Sequence, residues 1–353
     1  MGNRALPVRA GRAVTLVAAA FAFGAAAQGP SLVVGAPRDA DGLFLNGVGP
    51  IEQAGASVTV PFMLRRVGTT IAGRDGASER VENDGDFLRE NAGHSVPTVT
   101  WIGHATVLVQ MDHVSFLTDP IWSDRASPLP IGPRRLVAPG VALDDLPPID
   151  FVLISHNHYD HLDMDTLRAL ADRSPETRFY VPLANGDLLR DEGVMNVVEL
   201  DWGSQVTHGN VTIHCLESQH WSRRGLFDWR KALWASWAVI GRERRFYFAG
   251  DTGFFDGFAG IGAALGPFDL AALPIGAYEP TAMMRSSHMD PEEAVRAARA
   301  LRAERVLGIH WGTFDLTDEP LDEPPRRFRD AAAAAGYSES AAFVERIGET
   351  QAF

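Results

Sequence analysis

Ile154-Ser155-His156-Asn157-His158-Tyr159-Asp160-His161-Leu162-Asp163 is the stretch that decides how this chain is read. Three histidines and an aspartate fall within six residues, directly behind the apolar run 151–154. Packing asks for no such cluster. A metal does, because imidazole nitrogen and carboxylate oxygen are ligands that a borderline Lewis acid such as zinc accepts. The run 151–154 reads as a short buried strand, which would deliver the ligands from its C-terminal end. In a tight loop the spacing suits two adjacent centres, with His156 and His158 on one and Asp160 and His161 on the other. Two such metals would activate water and clamp a substrate oxygen.

Four side chains do not complete two metals, so further ligands are expected at later strand ends. His220 lies just past the apolar run 211–216, Asp251 sits in Ala249-Gly250-Asp251-Thr252-Gly253, and His310 follows Val306-Leu307-Gly308-Ile309. Asp251 suits a bridging position, since a carboxylate can give one oxygen to each ion. The expected sets are His156, His158, His220 and Asp251 on one metal, and Asp160, His161, Asp251 and His310 on the other. Zinc is the expected metal, with iron and manganese as ions that bind such nitrogen and oxygen sets too. Asp119 and Asp163 are expected to orient ligand imidazoles through hydrogen bonds, Asp163 also being placed as a helix N-cap. His104, in a glycine-flanked turn, is a third candidate for that supporting role. Tyr278, Trp221 and Trp311 stand beside ligands and are candidate walls for substrate.

Around this stretch the chain changes texture. Residues 1–27 carry Arg4, Arg9 and Arg12, then an apolar stretch too short to span a bilayer comfortably, then Ala25-Ala26-Ala27. This predicts a signal peptide or an N-terminal anchor, and hence an exported, periplasmic or membrane-associated protein. Residues 28–95 are rich in Gly, Ala and polar residues and read as an extended arm with one short helix at 63–67 and a surface loop over 75–91. From 96 to 353 short β-rich runs come first, then strands alternating with helices, a pattern that predicts sheets covered by helices. Asp290 with Glu293 forms a capping box, and Pro291 stands at the first helical position.

The net charge of −13 argues against nucleic acid as a partner. Nearly all positive charge is arginine, because Lys231 is the only lysine. Cys215 is the single cysteine, so no disulfide can form within the chain and a cysteine-rich zinc cluster is excluded. Its place in the run 211–216 predicts a buried strand residue.

The run 156–161 matches in full the His-x-His-x-Asp-His signature of the metallo-β-lactamase superfamily. Wider blocks resemble one branch of it, the phospholipases D that hydrolyse N-acyl-phosphatidylethanolamine. They include Trp101-Ile102-Gly103-His104-Ala105-Thr106, Phe116-Leu117-Thr118-Asp119-Pro120-Ile121, Ser218-Gln219-His220-Trp221, His288-Met289-Asp290-Pro291 and Ile309-His310-Trp311-Gly312-Thr313-Phe314. The resemblance implies an α/β four-layer αβ/βα sandwich of two mixed sheets flanked by helices. It implies a dinuclear zinc hydrolase that cuts a phospholipid phosphodiester to N-acylethanolamine and phosphatidic acid. It places His288 in the site mouth, in contact with substrate phosphate, and gives Asp160 and Asp251 the handling of water and proton. A lactone, a β-lactam or a soluble phosphodiester is the alternative substrate, since the same dinuclear site serves all of these. The segments 222–230 and 281–287 depart from the branch pattern beside the expected cleft. The expected partners are the phospholipid, a transient membrane contact through Leu226-Phe227 or Met283-Met284, and a second copy of the chain in a homodimer.

Overall fold

Strands form where apolar and β-branched side chains can be buried on both faces of a sheet, and from residue 98 onward the chain supplies such runs repeatedly. The structure is a computed structural model and describes residues 1–2, 32–49, 51, 54–72, 78–94 and 96–353. The signal peptide expected over 1–27 lies, beyond its first two residues, outside the described part.

The strands are β1 (Thr98–Gly103), β2 (Thr106–Met111), β3 (Val114–Thr118), β4 (Phe151–Leu153), β5 (Arg178–Pro182), β6 (Val197–Leu200), β7 (Gln205–His208) and β8 (Val211–Leu216). They continue as β9 (Ser236–Ile240), β10 (Arg245–Phe248), β11 (Phe268–Pro274), β12 (Ala303–Ile309), β13 (Ala342–Phe343) and β14 (Thr350–Ala352). One sheet runs β14-β1-β2-β3-β4-β5-β6 and the other β13-β12-β11-β10-β9-β8-β7. Both are mixed. In the first, β14, β1, β2 and β3 pair antiparallel and β3 to β6 parallel. In the second, β7 to β10 pair antiparallel and β10 to β13 parallel.

Side chains alternate between two buried environments, as the period of two along a strand requires. Phe116, Phe151, Leu153, Phe246, Phe248, Leu270 and Ala272 point into a core between the sheets. Their neighbours Leu117 and Val152 enter a second core under α2 (Asp86–His94), α3 (Met164–Arg173) and α4 (Gly186–Arg190). Tyr247, Ala271 and Leu273 enter a third core under α5 (Gly257–Leu265), α7 (Pro291–Leu301) and α8 (Glu323–Ala334), the single turn α6 (Thr281–Met284) lying between α5 and α7 in the chain. The layers are therefore helix, sheet, sheet, helix. Cys215 is a free thiol in the inter-sheet core.

α7 begins where its capping box predicts: Glu293 N–H donates to Asp290 Oδ1 at 2.8 Å, and the Glu293 side chain turns back to the Asp290 N–H. The segment before 96 differs from its sequence reading. In place of one short helix in an extended arm it holds α1 (Ala56–Ala72) and α2. α1 is anchored by distant partners, with Phe62 buried, Arg65 paired to Asp318 at 2.5 Å and Arg66 to Asp315 at 2.9 Å. α2 replaces the end of the expected loop because Leu88 and Asn91, one turn apart, are buried together. Neither anchor has a local signature in sequence.

Between β13 and β14, burial and the neighbouring Glu349 push the Glu345 carboxyl up to about 8. The folded state thus prefers the protonated acid. That preference is fully present below the unfolded carboxyl pKa of about 4.3 and is lost as pH rises through about 8. Glu345→Gln is expected to gain stability relative to the parent between pH 5 and pH 9. Thermal melts of both proteins at the two pH values check this, and an equal shift at both contradicts it.

Candidate metal centre

Every expected ligand stands at a strand end, and all these ends meet at one edge of the sandwich. β1, β3 and β4 run in one direction within the first sheet, and β8, β10, β11 and β12 do so within the second. β4 leads into the loop of His156 to Asp163, β8 into His220, β10 into Asp251 and β12 into His310. Gly250 lets the first and third of these loops approach. Its φ is +59°, and a Cβ there would lie 2.4 Å from the Ser155 Cβ. His104, Asp119 and His310 are held at φ of 54°, 34° and 63°. Non-glycine residues in that region carry strain of about 1–3 kcal/mol each, which surrounding contacts must offset.

Three imidazoles converge first. His158 Nδ1 lies 2.8 Å from His156 Nε2 and 3.3 Å from His220 Nε2. His220 Nδ1 is 2.9 Å from the Ser287 carbonyl and must donate to it, which leaves Nε2 with its lone pair. Ser155 Oγ donates to Asp119 Oδ2 at 2.5 Å, so His156 Nδ1, 2.8 Å from that hydroxyl, donates to it and its Nε2 is also a free lone pair. Burial lowers the pKa of all three, His158 to about 4 and the others well below their usual value, reinforced for His156 by the surrounding imidazoles. Neutral imidazoles with converging lone pairs are what a cation requires.

The second set is Asp160, His161 and His310. His161 Nε2 lies 3.2 Å from His310 Nε2 and 3.4 Å from Asp160 Oδ2, while its Nδ1 lies 2.7 Å from Asp119 Oδ2. Asp251 faces both sets. Its Oδ2 is 3.1 Å from His161 Nε2 and 3.9 Å from His220 Nε2, and its Oδ1 is 3.1 Å from His310 Nε2. Against their burial, the imidazoles, His161 first, hold the Asp160 and Asp251 carboxyls well below the usual range. Burial opposes charge on His161 and His310 too, yet Asp251 and Asp160 raise both, His310 to about 9. Two buried carboxylates thus demand compensating positive charge, which protons or metal ions can supply. Asp251 Oδ1 and His158 Nε2 are buried without a hydrogen-bond partner. The donor set fits two ions that accept nitrogen and oxygen ligands, with Asp251 placed to serve both.

The supporting residues divide. Asp119 holds His161 Nδ1 and Ser155, while burial pushes its own carboxyl up. His104 Nε2 holds Asp160 Oδ2 at 2.9 Å, and its backbone N–H donates to Thr313 Oγ1. Burial and then His310 depress its pKa to about 3, so it acts as a neutral N–H donor. Asp163 does not follow the expectation. Its carboxylate accepts from the Trp122 and Ser123 N–H groups, the Ser123 hydroxyl and the Thr166 hydroxyl, and touches no ligand imidazole. It occupies the N-cap position of α3 without a side-chain cap bond. Four donors from the turn after β3 and the first turn of α3 surround the carboxylate and saturate it.

His288 lies at the mouth, its unpartnered Nδ1 3.8 Å from Asp251 Oδ2, its pKa lowered to about 4 by burial. With His220 and Asp251 it forms another set close enough to share an ion. Trp221 packs edge-on against His158 at 4.2 Å and beside Trp229 at 4.6 Å. With Leu45, Ile51 and Arg230 these two indoles line a cavity of about 160 Å³ next to His220. Trp311 stacks on Trp101 at 5.3 Å and donates its indole N–H to Gly308, which makes it packing support for the His310 loop. Tyr278 lines a small cavity together with His288. It is buried, donates its hydroxyl to Glu323 at 2.7 Å and lies under the Arg327 guanidinium. Leu226 and Phe227 are 78% and 85% exposed, whereas Met284 is buried. Sequence reasoning missed Asn46, a buried amide bonded to the backbone of His220.

Comparison with known proteins places these residues in company. A model of the β-lactamase superfamily domain matches residues 115–311. The N-acyl-phosphatidylethanolamine-hydrolyzing phospholipase D 1 of Caenorhabditis elegans is 46% identical over 257 residues, 69% of this chain and 72% of that protein. The mitochondrial N-acyl-phosphatidylethanolamine-hydrolyzing phospholipase D of Saccharomyces cerevisiae is 32% identical over 274 residues, 75% of this chain and 58% of the yeast protein. Among solved structures, Igni18, a metallo hydrolase of Ignicoccus hospitalis, shares the fold with a TM-score of 0.56 at 24% identity, covering 73% of this chain and 98% of its own.

Proposed function

Because the chain belongs to the β-lactamase superfamily, we propose that it is a dinuclear zinc phosphodiesterase that hydrolyses N-acyl-phosphatidylethanolamine to N-acylethanolamine and phosphatidic acid. The observation that carries the reading is Asp251, set between two complete nitrogen and oxygen donor sets. The lipid is supported by the likeness to the worm and yeast proteins.

His156, His158 and His220 would hold one ion and Asp160, His161 and His310 the other, with Asp251 within reach of both sets. When bound, the ions supply Lewis acidity to water and to the phosphoryl oxygens. The rest falls to the chain. Asp160 and Asp251 orient the water whose oxygen bonds to phosphorus, take up its proton, and return that proton to the N-acylethanolamine oxygen as its bond to phosphorus breaks. Asp119 and His104 fix the directions of His161 and Asp160, so the donors need not reorganise as charge builds on phosphorus. His288, poised at the mouth with an uncommitted ring nitrogen, contacts the phosphate or the departing oxygen of N-acylethanolamine.

Leu226 and Phe227 would carry the enzyme to its lipid. They form the tip of a loop flanked by the exposed Arg223 and Lys231, the only lysine of an acidic chain. An exposed apolar tip with basic shoulders suits a bilayer interface, where each cation near anionic lipid contributes about 1 kcal/mol. The test is product analysis on vesicles containing the lipid, beside nitrocefin and a lactone, for the parent and a Leu226→Ser/Phe227→Ser double variant. Metal-dependent release of N-acylethanolamine is expected from the parent. The variant should lose rate on vesicles and keep it on a short-chain, monomeric substrate. A metal-loaded protein inert to the lipid but active on the lactone would sink the proposal.

A further inference from the structure

The segment 32–49, outside the region 96–353 that carries the expected ligands, is built into the metal centre. It lies as a strap over the chain between β6 and β10. Gly35 N–H donates to the Trp202 carbonyl at 2.8 Å, Ala36 N–H to Asp201 Oδ1 at 2.9 Å, and Phe44 N–H to the Arg230 carbonyl at 3.0 Å. Arg230 answers with Nη1 to the Phe44 carbonyl at 3.1 Å and Nη2 to Asp39 at 2.8 Å. Gly203 makes room, since a Cβ there would stand 2.6 Å from the Val33 carbonyl oxygen. The strap delivers Asn46, only 4% exposed, to the back of His220.

Asn46 spends its whole amide there. Oδ1 accepts the His220 N–H at 3.0 Å and the Trp234 indole N–H at 2.9 Å, and Nδ2 donates to the His220 carbonyl at 3.0 Å. His220 is thus held by its backbone on one side and by Nδ1 on the Ser287 carbonyl on the other. Its neighbours Gln219 and Trp221 stand in loop beyond the end of β8, so the strand ladder itself does not reach this residue. We propose that Asn46 is a positioning residue for the metal centre, setting where His220 Nε2 meets His156 and His158. This rests on the reading of His220 as a ligand.

The test uses the full chain and measures metal content and affinity by chelator competition, with the visible spectrum of the cobalt-loaded protein. Loss of an outer partner of a metal ligand typically costs about 10–100-fold in metal affinity. Asn46→Ala is expected to weaken one of two bound equivalents by that factor and to alter the cobalt bands. Asn46→Asp keeps the acceptor and loses the donor, and is expected to fall between; it decides the matter if Asn46→Ala does not fold. Asn91→Ala removes an equally buried amide, bonded to Val96, Thr98 and Gln110, and is expected to lower the melting temperature without changing metal affinity. Two equivalents held at parental affinity in the Asn46 variants, while His220→Ala loses one, would overturn the positioning role alone. A parent that binds no metal, or a His220→Ala protein that keeps every equivalent, would overturn it together with the ligand reading.

Discussion

Asp251→Asn is expected to abolish most hydrolysis and to release metal from the purified protein. The carboxylate faces both donor sets, at 3.1 Å from His161 and His310 and 3.9 Å from His220. An amide keeps the shape but loses the charge and one of the two oxygens. Removing an outer partner costs about 10–100-fold, and removing a carboxylate that faces both donor sets should cost more, on the order of 10³-fold in kcat/KM. The protein should also melt earlier, because ligands that bind only the folded state stabilise it by mass action. Elemental analysis after gel filtration, beside kinetics at saturating zinc, separates lost metal from lost chemistry. Parental metal content together with parental rate would remove Asp251 from the centre.

The second large effect is on the fold. Phe116 is fully buried on the inner face of β3. Its ring stacks on Phe151 of the same sheet at 4.6 Å and meets the edge of Phe246 from the other sheet at 5.6 Å. Phe116→Ala removes a side chain that ties the sheets together, and it leaves a cavity between two strands that cannot easily close. Such truncations cost about 3–5 kcal/mol, and aromatic pairs add about 0.5–1.5 kcal/mol beyond area burial. Urea unfolding of the metal-depleted protein should show the loss as a lower midpoint. A loss under about 1 kcal/mol would mean that the core refills the space, as the smaller effects in mutant surveys imply.

Local signals explain what could be read in advance. The density of His156 to His161 marks its loop because packing asks for no such cluster. The start of α7 was legible because its cap is a local device, with donor and acceptor three residues apart. His220, Asp251 and His310 were legible as strand ends because the apolar runs before them are unbroken. The failures share a different cause. β7 and β14 are polar and short, and β14 is a strand through its pairing with the distant β1. Asn46 and Asp163 are single polar residues whose roles are set by partners 174 and 40 residues away. In sequence, a carboxylate that orients a histidine looks the same as one that braces a turn.

The pairing of β14 with β1 has a bearing on biosynthesis. Thr100 and Thr350, which share a hydrogen bond at 2.8 Å, are 250 residues apart. At about 5–20 residues per second of translation, β1 waits for its partner on the order of tens of seconds. During that interval its outer N–H and C=O groups are an open edge, the kind of surface on which chains pair wrongly. The first sheet is then sealed late, when the strand that covers this edge has been made.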